Sequence, residues 1–147
     1  MLFRRFYQCI SALVALAIAC VIGVGFYAAN VSKLDALSGE RVFYLDNASS
    51  QGLRKEELSI LDIFRIEGES VRFARTEETE EGLVQRIRDT YGAKILFSER
   101  VDGVTSYYCH TDAWQNGIDI NGVTVNLHIA VSKDVCAVGT PIIFDGF

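Results

Sequence analysis

Two cysteines and two histidines are the side chains best suited to chemistry in the C-terminal half of this 147-residue chain. They are Cys109, His110, His128 and Cys136, and thiolate and imidazole groups are ligands of zinc. Adjacent residues of a strand point to opposite faces, so Cys109 and His110 do not share one ligand sphere. Neither pair has the short spacing of a zinc finger or zinc ribbon. We therefore expect no metal site and no cofactor.

The two cysteines also raise the question of a disulfide bond. Cys109 and Cys136 lie 27 positions apart, each in a predicted strand. In an oxidising compartment an even number of cysteines permits a bond between them. The alternative is a pair of buried thiols that pack as small apolar side chains. The spacing leaves both alternatives open, because it does not show whether the sulfur atoms meet.

His110 and His128 are the candidates for acid–base catalysis, with Asp112 in a nearby loop that also holds Trp114 and Asn116. The sequence has no nucleophile elbow, no helical zinc-binding histidine pair and no phosphate-binding glycine loop. We therefore assign no catalytic residue and predict a non-enzymatic protein. An enzyme that uses His110, His128 and the acidic loop residues is the alternative.

These residues lie in a region of alternating apolar and polar positions with tight turns. Strands at Lys94–Val101 and Val104–His110 flank the turn Asp102-Gly103, and Asn121-Gly122 marks a second hairpin. Alternation continues without a break from Val123 to Val131, which predicts one strand.

The two faces of that strand have different compositions. Its valine, leucine and isoleucine side chains form one face, which we expect to be buried. The other face consists of Thr124, Asn126, His128 and Ala130, and we expect it to offer a polar surface. A turn at Ser132–Val135 then places Val131 opposite Cys136, and the closing strand runs from Cys136 to Phe144. Pro141 cannot donate a hydrogen bond, so it should lie at an edge or near the end of that strand.

The preceding segment contains further strands. Arg41–Leu45 has the composition of a short strand, and Asp46–Gly52 has that of a loop. Leu58–Ile66 is apolar, and we favour a strand that ends at the turn Glu67-Gly68-Glu69, with a helical turn before it as an alternative. Val71–Arg75 is then the returning strand.

One helix is predicted between these strands and the alternating region. Thr76 opens it, either Thr76 or Thr79 caps it, and Gly92 ends it. Its buried stripe comprises Leu83, Val84, Ile87 and Tyr91. The predicted fold class is α+β, an antiparallel sheet packed against an α-helix.

The N-terminal segment predicts a transmembrane helix. Ile10–Ala29 is apolar apart from Ser11, and twenty helical residues span about 30 Å, the thickness of a bilayer core. Arg4 and Arg5 before it favour a cytoplasmic N-terminus. We expect an uncleaved single-span anchor in the cell membrane, which contacts the bilayer through residues 10–29. A cleaved secretory signal or a lipoprotein signal that uses Cys20 are the alternatives.

The charge of the chain argues against nucleic acid as a partner. The formal net charge is −5, from 14 basic and 19 acidic residues. Without Arg4 and Arg5 the remaining 12 basic residues leave the rest of the chain at −7. A nucleic-acid-binding surface needs a basic patch that displaces counterions.

The C-terminal half resembles the YwmB-like family of Gram-positive bacteria. The resemblance covers roughly Val71 to Phe147 and is carried by Ser106–Cys109, Val125–Val131 and Gly139–Phe147. It implies a TATA-box-binding-like fold, in which a helix backs a curved antiparallel sheet. Two such units form a saddle-shaped domain, and this chain is long enough for one of them. It also implies an N-terminal export or anchor segment and no established activity.

We therefore expect three regions and one role. Residues 1–30 form the anchor or signal, residues 31–69 a linker with accessory strands, and residues 70–147 the YwmB-like sheet domain. The expected role is that of a membrane-tethered, extracytoplasmic, non-enzymatic domain, binding or structural. It would bind a protein or an envelope component, or associate with itself. The open polar face or an unpaired edge strand would be its binding surface.

Overall fold

The computed structural model describes residues 2–29, 31–46, 53–59 and 61–144 of the chain. The chain divides into two compact units, Met1–Ser32 and Lys33–Phe147. The first unit is a single helix, α1 (Leu2–Ala29), within which Tyr7–Tyr27 is long and apolar enough to cross a membrane. The same description fits a signal sequence. The prediction of an N-terminal apolar helix is confirmed at this level.

The second unit contains nine strands, one short 3-10 helix and one α-helix among its described residues. In chain order they are β1 (Glu40–Leu45), β2 (Leu53–Lys55), the 3-10 helix (Asp62–Phe64), β3 (Ile66–Ala74), α2 (Glu80–Tyr91), β4 (Ala93–Val101), β5 (Val104–Thr111), β6 (Ile118–Ile120), β7 (Val123–Val125), β8 (Leu127–Val131) and β9 (Val135–Thr140).

Seven of these strands form one antiparallel sheet in the order β2-β1-β3-β9-β8-β5-β4. Strands β6 and β7 form a separate hairpin. The predicted α+β class with an antiparallel sheet is confirmed. β1 and β2 belong to the same sheet as the C-terminal strands, and the boundary expected at residue 70 falls inside β3.

Helix α2 begins later than expected because its cap is Thr79. The Thr79 side chain accepts a hydrogen bond from the Gly82 amide at 3.2 Å, which satisfies one of the free N–H groups of the first turn. The prediction that Thr76 opens the helix is wrong. Gly92 ends α2 with a φ of 60°, a conformation that glycine adopts without a Cβ clash.

The main core lies between α2 and one face of the sheet, here called the helix face. Leu83, Val84 and Ile87 of α2 pack there, together with Ile129 and Val138 of the sheet. Two leucines of the segment before β1, Leu34 and Leu37, belong to the same core. That segment is therefore part of the folded unit and not a free linker.

The opposite face of the sheet, here called the tail face, is covered where an open polar surface was expected. Asn126, His128 and Ala130 are at most 8% exposed. Residues after β9 fold back across this face, so a Cβ added to Gly139 would lie 2.8 Å from Ile143. A Cβ on Gly68 would meet Phe144 equally closely. Both glycines permit a close approach of the C-terminal segment to the sheet.

The region before α2 also differs from its prediction. Leu58–Ile66 contains the 3-10 helix in place of the favoured strand, in agreement with the alternative of a helical turn. No turn interrupts residues 67–69, because β3 runs continuously past Gly68 and pairs with both β1 and β9. The predicted loop Asp46–Gly52 lies outside the described residues from residue 47 onward.

Two predicted strands are shorter than expected. The Val123–Val131 run breaks at Asn126, whose side chain hydrogen-bonds to both backbone groups of Thr111 and so interrupts the ladder. The closing strand ends at Thr140, since Pro141 cannot extend the ladder. The pairing of Val131 with Cys136 and the hairpins at Asp102-Gly103 and Asn121-Gly122 are confirmed.

Candidate interaction surface

Strand β4 is a long edge strand. It has nine residues and, among the described residues, pairs only with β5. The other edge strand of the sheet, β2, has three residues. Almost every residue of β4 after Ala93 is exposed, including Ile95, Leu96 and Val101, the last at 60%. The outer backbone groups of such a strand are donors and acceptors for another extended chain.

A stack of three planar rings on the tail face packs β4 against the neighbouring strands. Phe97 of β4, Tyr108 of β5 and His128 of β8 have ring centroids 4.5 Å apart at both steps. The Tyr108 hydroxyl also donates a 2.5 Å hydrogen bond to Glu99 of β4. Burial and this bond raise the pKa of Tyr108 to about 12. The stack and the hydrogen bond hold β4 against β5 and β8.

His128 is buried at the inner end of the stack. The Ile143 amide donates to its Nδ1 at 3.3 Å, so the neutral ring carries its proton on Nε2. Burial lowers the pKa of His128 to about 4, against a smaller opposing influence of Glu99. A ring that is 8% exposed and accepts a backbone hydrogen bond serves to attach the C-terminal segment to the sheet.

His110 lies on the same face as His128 in the neighbouring strand but in a different environment. Its Nδ1 donates to the Thr124 carbonyl at 3.0 Å, and its Nε2 lies 3.3 Å from Asp112. The Asp112 side chain is 90% exposed. The two imidazoles are therefore engaged separately, one by a solvated carboxylate and the other by the C-terminal segment. Among the residues that the structure describes, no group of three histidine, cysteine or acidic side chains is arranged to hold a metal.

The two cysteines are free thiols in the core, so the disulfide alternative does not describe this structure. Cys109 lies opposite Leu127 and Cys136 lies opposite Val131, on the two sides of β8. Two strand spacings separate the cysteine backbones by about 10 Å, and the four-residue offset adds about 13 Å along the strands. A disulfide requires Cα atoms within about 7 Å. Burial raises the pKa of Cys109 to about 11 and that of Cys136 to about 12.

The loop after β5 packs onto the end of α2 and onto the residues before β1. The Trp114 ring lies 5.3 Å from the Tyr91 ring, and the Lys33 ammonium lies 5.9 Å from the Trp114 centroid. The same ammonium donates a hydrogen bond to Asn116. Burial lowers the pKa of Lys33, while the nearby Glu69 opposes that shift. These contacts attach the residues before β1 to the loop.

A buried carboxylate that the sequence analysis missed completes this attachment. Glu69 of β3 is 2% exposed, and its Oε1 accepts hydrogen bonds from the backbone amides of Lys33 and Leu34, the latter at 2.7 Å. Its Oε2 lies 3.6 Å from Arg41, which also donates to the carbonyls of Leu34 and Leu37 at 3.1 Å. Opposite charges on inward-facing positions of two neighbouring strands are the sequence signal for this pair.

Comparisons of the chain with protein-family models, with curated proteins and with solved structures gave no match. A fold by itself does not define an activity, because the activity depends on the residues of a particular site or surface.

Proposed function

We propose that this protein is a membrane-tethered, non-enzymatic recognition domain that binds a protein by adding a strand to the edge of β4. The observation that carries the proposal is the nine-residue edge strand itself, which is exposed at most of its residues and supported by the ring stack. Strand addition uses main-chain hydrogen bonds for affinity and neighbouring side chains for specificity.

The tether is the second part of the proposal. α1 has no acidic residue, no part of its apolar window is buried, and Arg4 and Arg5 precede that window. This charge placement supports a cytoplasmic N-terminus and a recognition domain outside the cytoplasm. Release by cleavage of the segment as a secretory signal is the alternative.

We also propose that residues 70–147 belong to the YwmB-like family, with support from the antiparallel sheet and its single backing helix.

The environments of the histidines support a non-enzymatic role. Catalysis by an acid–base pair needs both groups within reach of one substrate. His128 accepts a backbone hydrogen bond and lies under Tyr108, whereas His110 pairs with Asp112 at the surface. An exposed edge strand that carries both aliphatic and charged side chains is better suited to binding another polypeptide than to chemistry.

Site-specific photo-cross-linking in intact membranes tests the recognition edge. A photoreactive residue is incorporated at Ser98, which is exposed on β4, and at Gln85, which is exposed on α2. We expect a discrete protein adduct from position 98 and none from position 85. Absence of an adduct at position 98, or equal adducts at both positions, would contradict recognition through β4.

A further inference from the structure

We propose that the partner of β4 is a second copy of this chain, paired antiparallel about a twofold axis at Ser98. This inference rests on the proposed function and specifies the partner of the same edge. A twofold axis perpendicular to the sheet makes one strand serve as both halves of the interface. Two seven-stranded sheets would then join into one continuous sheet.

The regular part of β4 limits where the two copies can pair. A bulge at Leu96 shifts the register between Ile95 and Phe97. Five residues follow it in uninterrupted pairing with β5, from Phe97 to Val101. A symmetric antiparallel ladder on the outer side of β4 is therefore centred within this segment.

Charge selects the centre of the ladder. In a twofold antiparallel pair, the residue on the axis lies directly opposite its own copy. An axis at Glu99 opposes two carboxylates, and an axis at Arg100 opposes two guanidinium groups. Like charges directly opposite each other destabilise a strand pair.

The twofold axis is also disfavoured at either end of the regular segment, because the ladder would then run into irregular backbone. An axis at Phe97 brings half of the ladder onto the bulge, and an axis at Val101 brings half of it onto the turn Asp102-Gly103. An axis at Ser98 opposes two small hydroxyl side chains and places Phe97 opposite Glu99. With the axis at Ser98, no like charges lie directly opposite each other. The residues on either side of Ser98 also belong to the regular part of the strand.

The side chains along the edge also favour burial by a partner. Ile95, Leu96 and Val101 are 37%, 40% and 60% exposed. A strand added to this edge, which has no partner among the described residues, removes part of this aliphatic surface from water, which favours association. A second copy on the same membrane is held at high local concentration by its own tether, which lowers the cost of association.

Disulfide trapping of the full chain in membranes tests this register. Cys9 and Cys20 are first replaced by alanine, because they are exposed thiols that could cross-link on their own. Single cysteines are then introduced as Ser98→Cys and, as a matched control on the same face of β4, Arg100→Cys. Under mild oxidation we expect several-fold more covalent dimer from Ser98→Cys, since the copies of residue 100 would lie four residues apart.

The outcomes separate this inference from the proposed function. Dimer yield from Arg100→Cys that equals or exceeds the yield from Ser98→Cys overturns the axis at Ser98. A photo-adduct at position 98 whose mass is not twice that of the chain overturns self-pairing and leaves recognition by β4 standing. Loss of both the disulfide and the photo-adduct overturns both proposals. Ser98 is exposed, so its replacement by cysteine preserves the fold.

Discussion

The backbone amide of Ile143 donates a hydrogen bond to Nδ1 of His128 across 3.3 Å. This contact joins the segment after β9 to the centre of the sheet. Gly139 lies beneath the same segment and has no side chain to obstruct it. The contact explains why a face that is polar by sequence is closed in the fold, and it makes stability depend on the protonation of one ring.

The folded protein should lose stability as the pH falls from 7 to 5. This interval lies above the pH range in which carboxylates titrate. The pKa of His128 is about 4 in the folded protein and 6.5 in an unfolded chain, so the unfolded state takes up the proton first as pH falls. The free energy of unfolding should therefore drop by about 2 kcal/mol between pH 7 and pH 5. Urea unfolding monitored by circular dichroism measures this change. His128→Phe, which keeps a planar ring, should flatten the profile between these values, and an unchanged slope would contradict the assignment to His128.

The buried Glu69 should be essential for stability. Glu69→Ala leaves the Lys33 and Leu34 amides and the Arg41 guanidinium without this carboxylate. We expect a loss of about 3 kcal/mol, the range seen when one partner of a buried ion pair is removed. Glu67→Ala is the matched control, because Glu67 is an exposed residue of the same strand, and it should cost under about 0.5 kcal/mol. Similar losses for both variants would refute this role of Glu69.

The helix face of β8 should contribute far more to stability than the hairpin before it. Ile129 is fully buried, so Ile129→Ala should lower the free energy of unfolding by roughly 2–4 kcal/mol. Leu127→Ala should behave in the same way. Thr124 is exposed in β7, and Thr124→Ala should cost under about 1 kcal/mol. Chemical denaturation of the three variants measures these differences, and equal costs would show that the strand register is wrong.

The core thiols should be unreactive in the folded protein and free after unfolding. In a Cys9→Ala, Cys20→Ala background, a maleimide should label neither Cys109 nor Cys136 under native conditions, because burial disfavours both thiolates. In denaturant without reductant, both residues should react. Labelling that appears only after reduction would show that the two sulfurs are bonded.

The N-terminal helix should remain attached to the mature protein. Its apolar window of 21 residues is longer than the core of a cleaved signal, which is about 7–15 residues. N-terminal sequencing of protein extracted from membranes should give an N-terminus that precedes the apolar window at Tyr7. A mature N-terminus near Ala29 would identify the segment as a cleaved signal and remove the tether.

The elements that the sequence predicted well are those specified by residues close together in the chain. A left-handed glycine within the two-residue turn Asp102-Gly103 specifies that hairpin, and the same conformation at Gly92 ends α2. The four-residue spacing from Leu83 to Ile87 places both side chains on the core face of that helix. An N-terminal run of apolar residues requires no tertiary information to be identified as a helix able to cross a membrane.

The tertiary structure decided every feature that depends on a distant neighbour. Glu67-Gly68-Glu69 has the composition of a turn, but pairing with β1, and with β9 from Glu69 onward, keeps it within a strand. Glu69 finds its partners about thirty positions away. Alternation showed that His128 and Ile129 face opposite ways, but only the returning segment at Ile143 buries the histidine. Sequence periodicity specifies which side chains share a face; which faces and edges stay open depends on the order of the strands, a property of the whole chain.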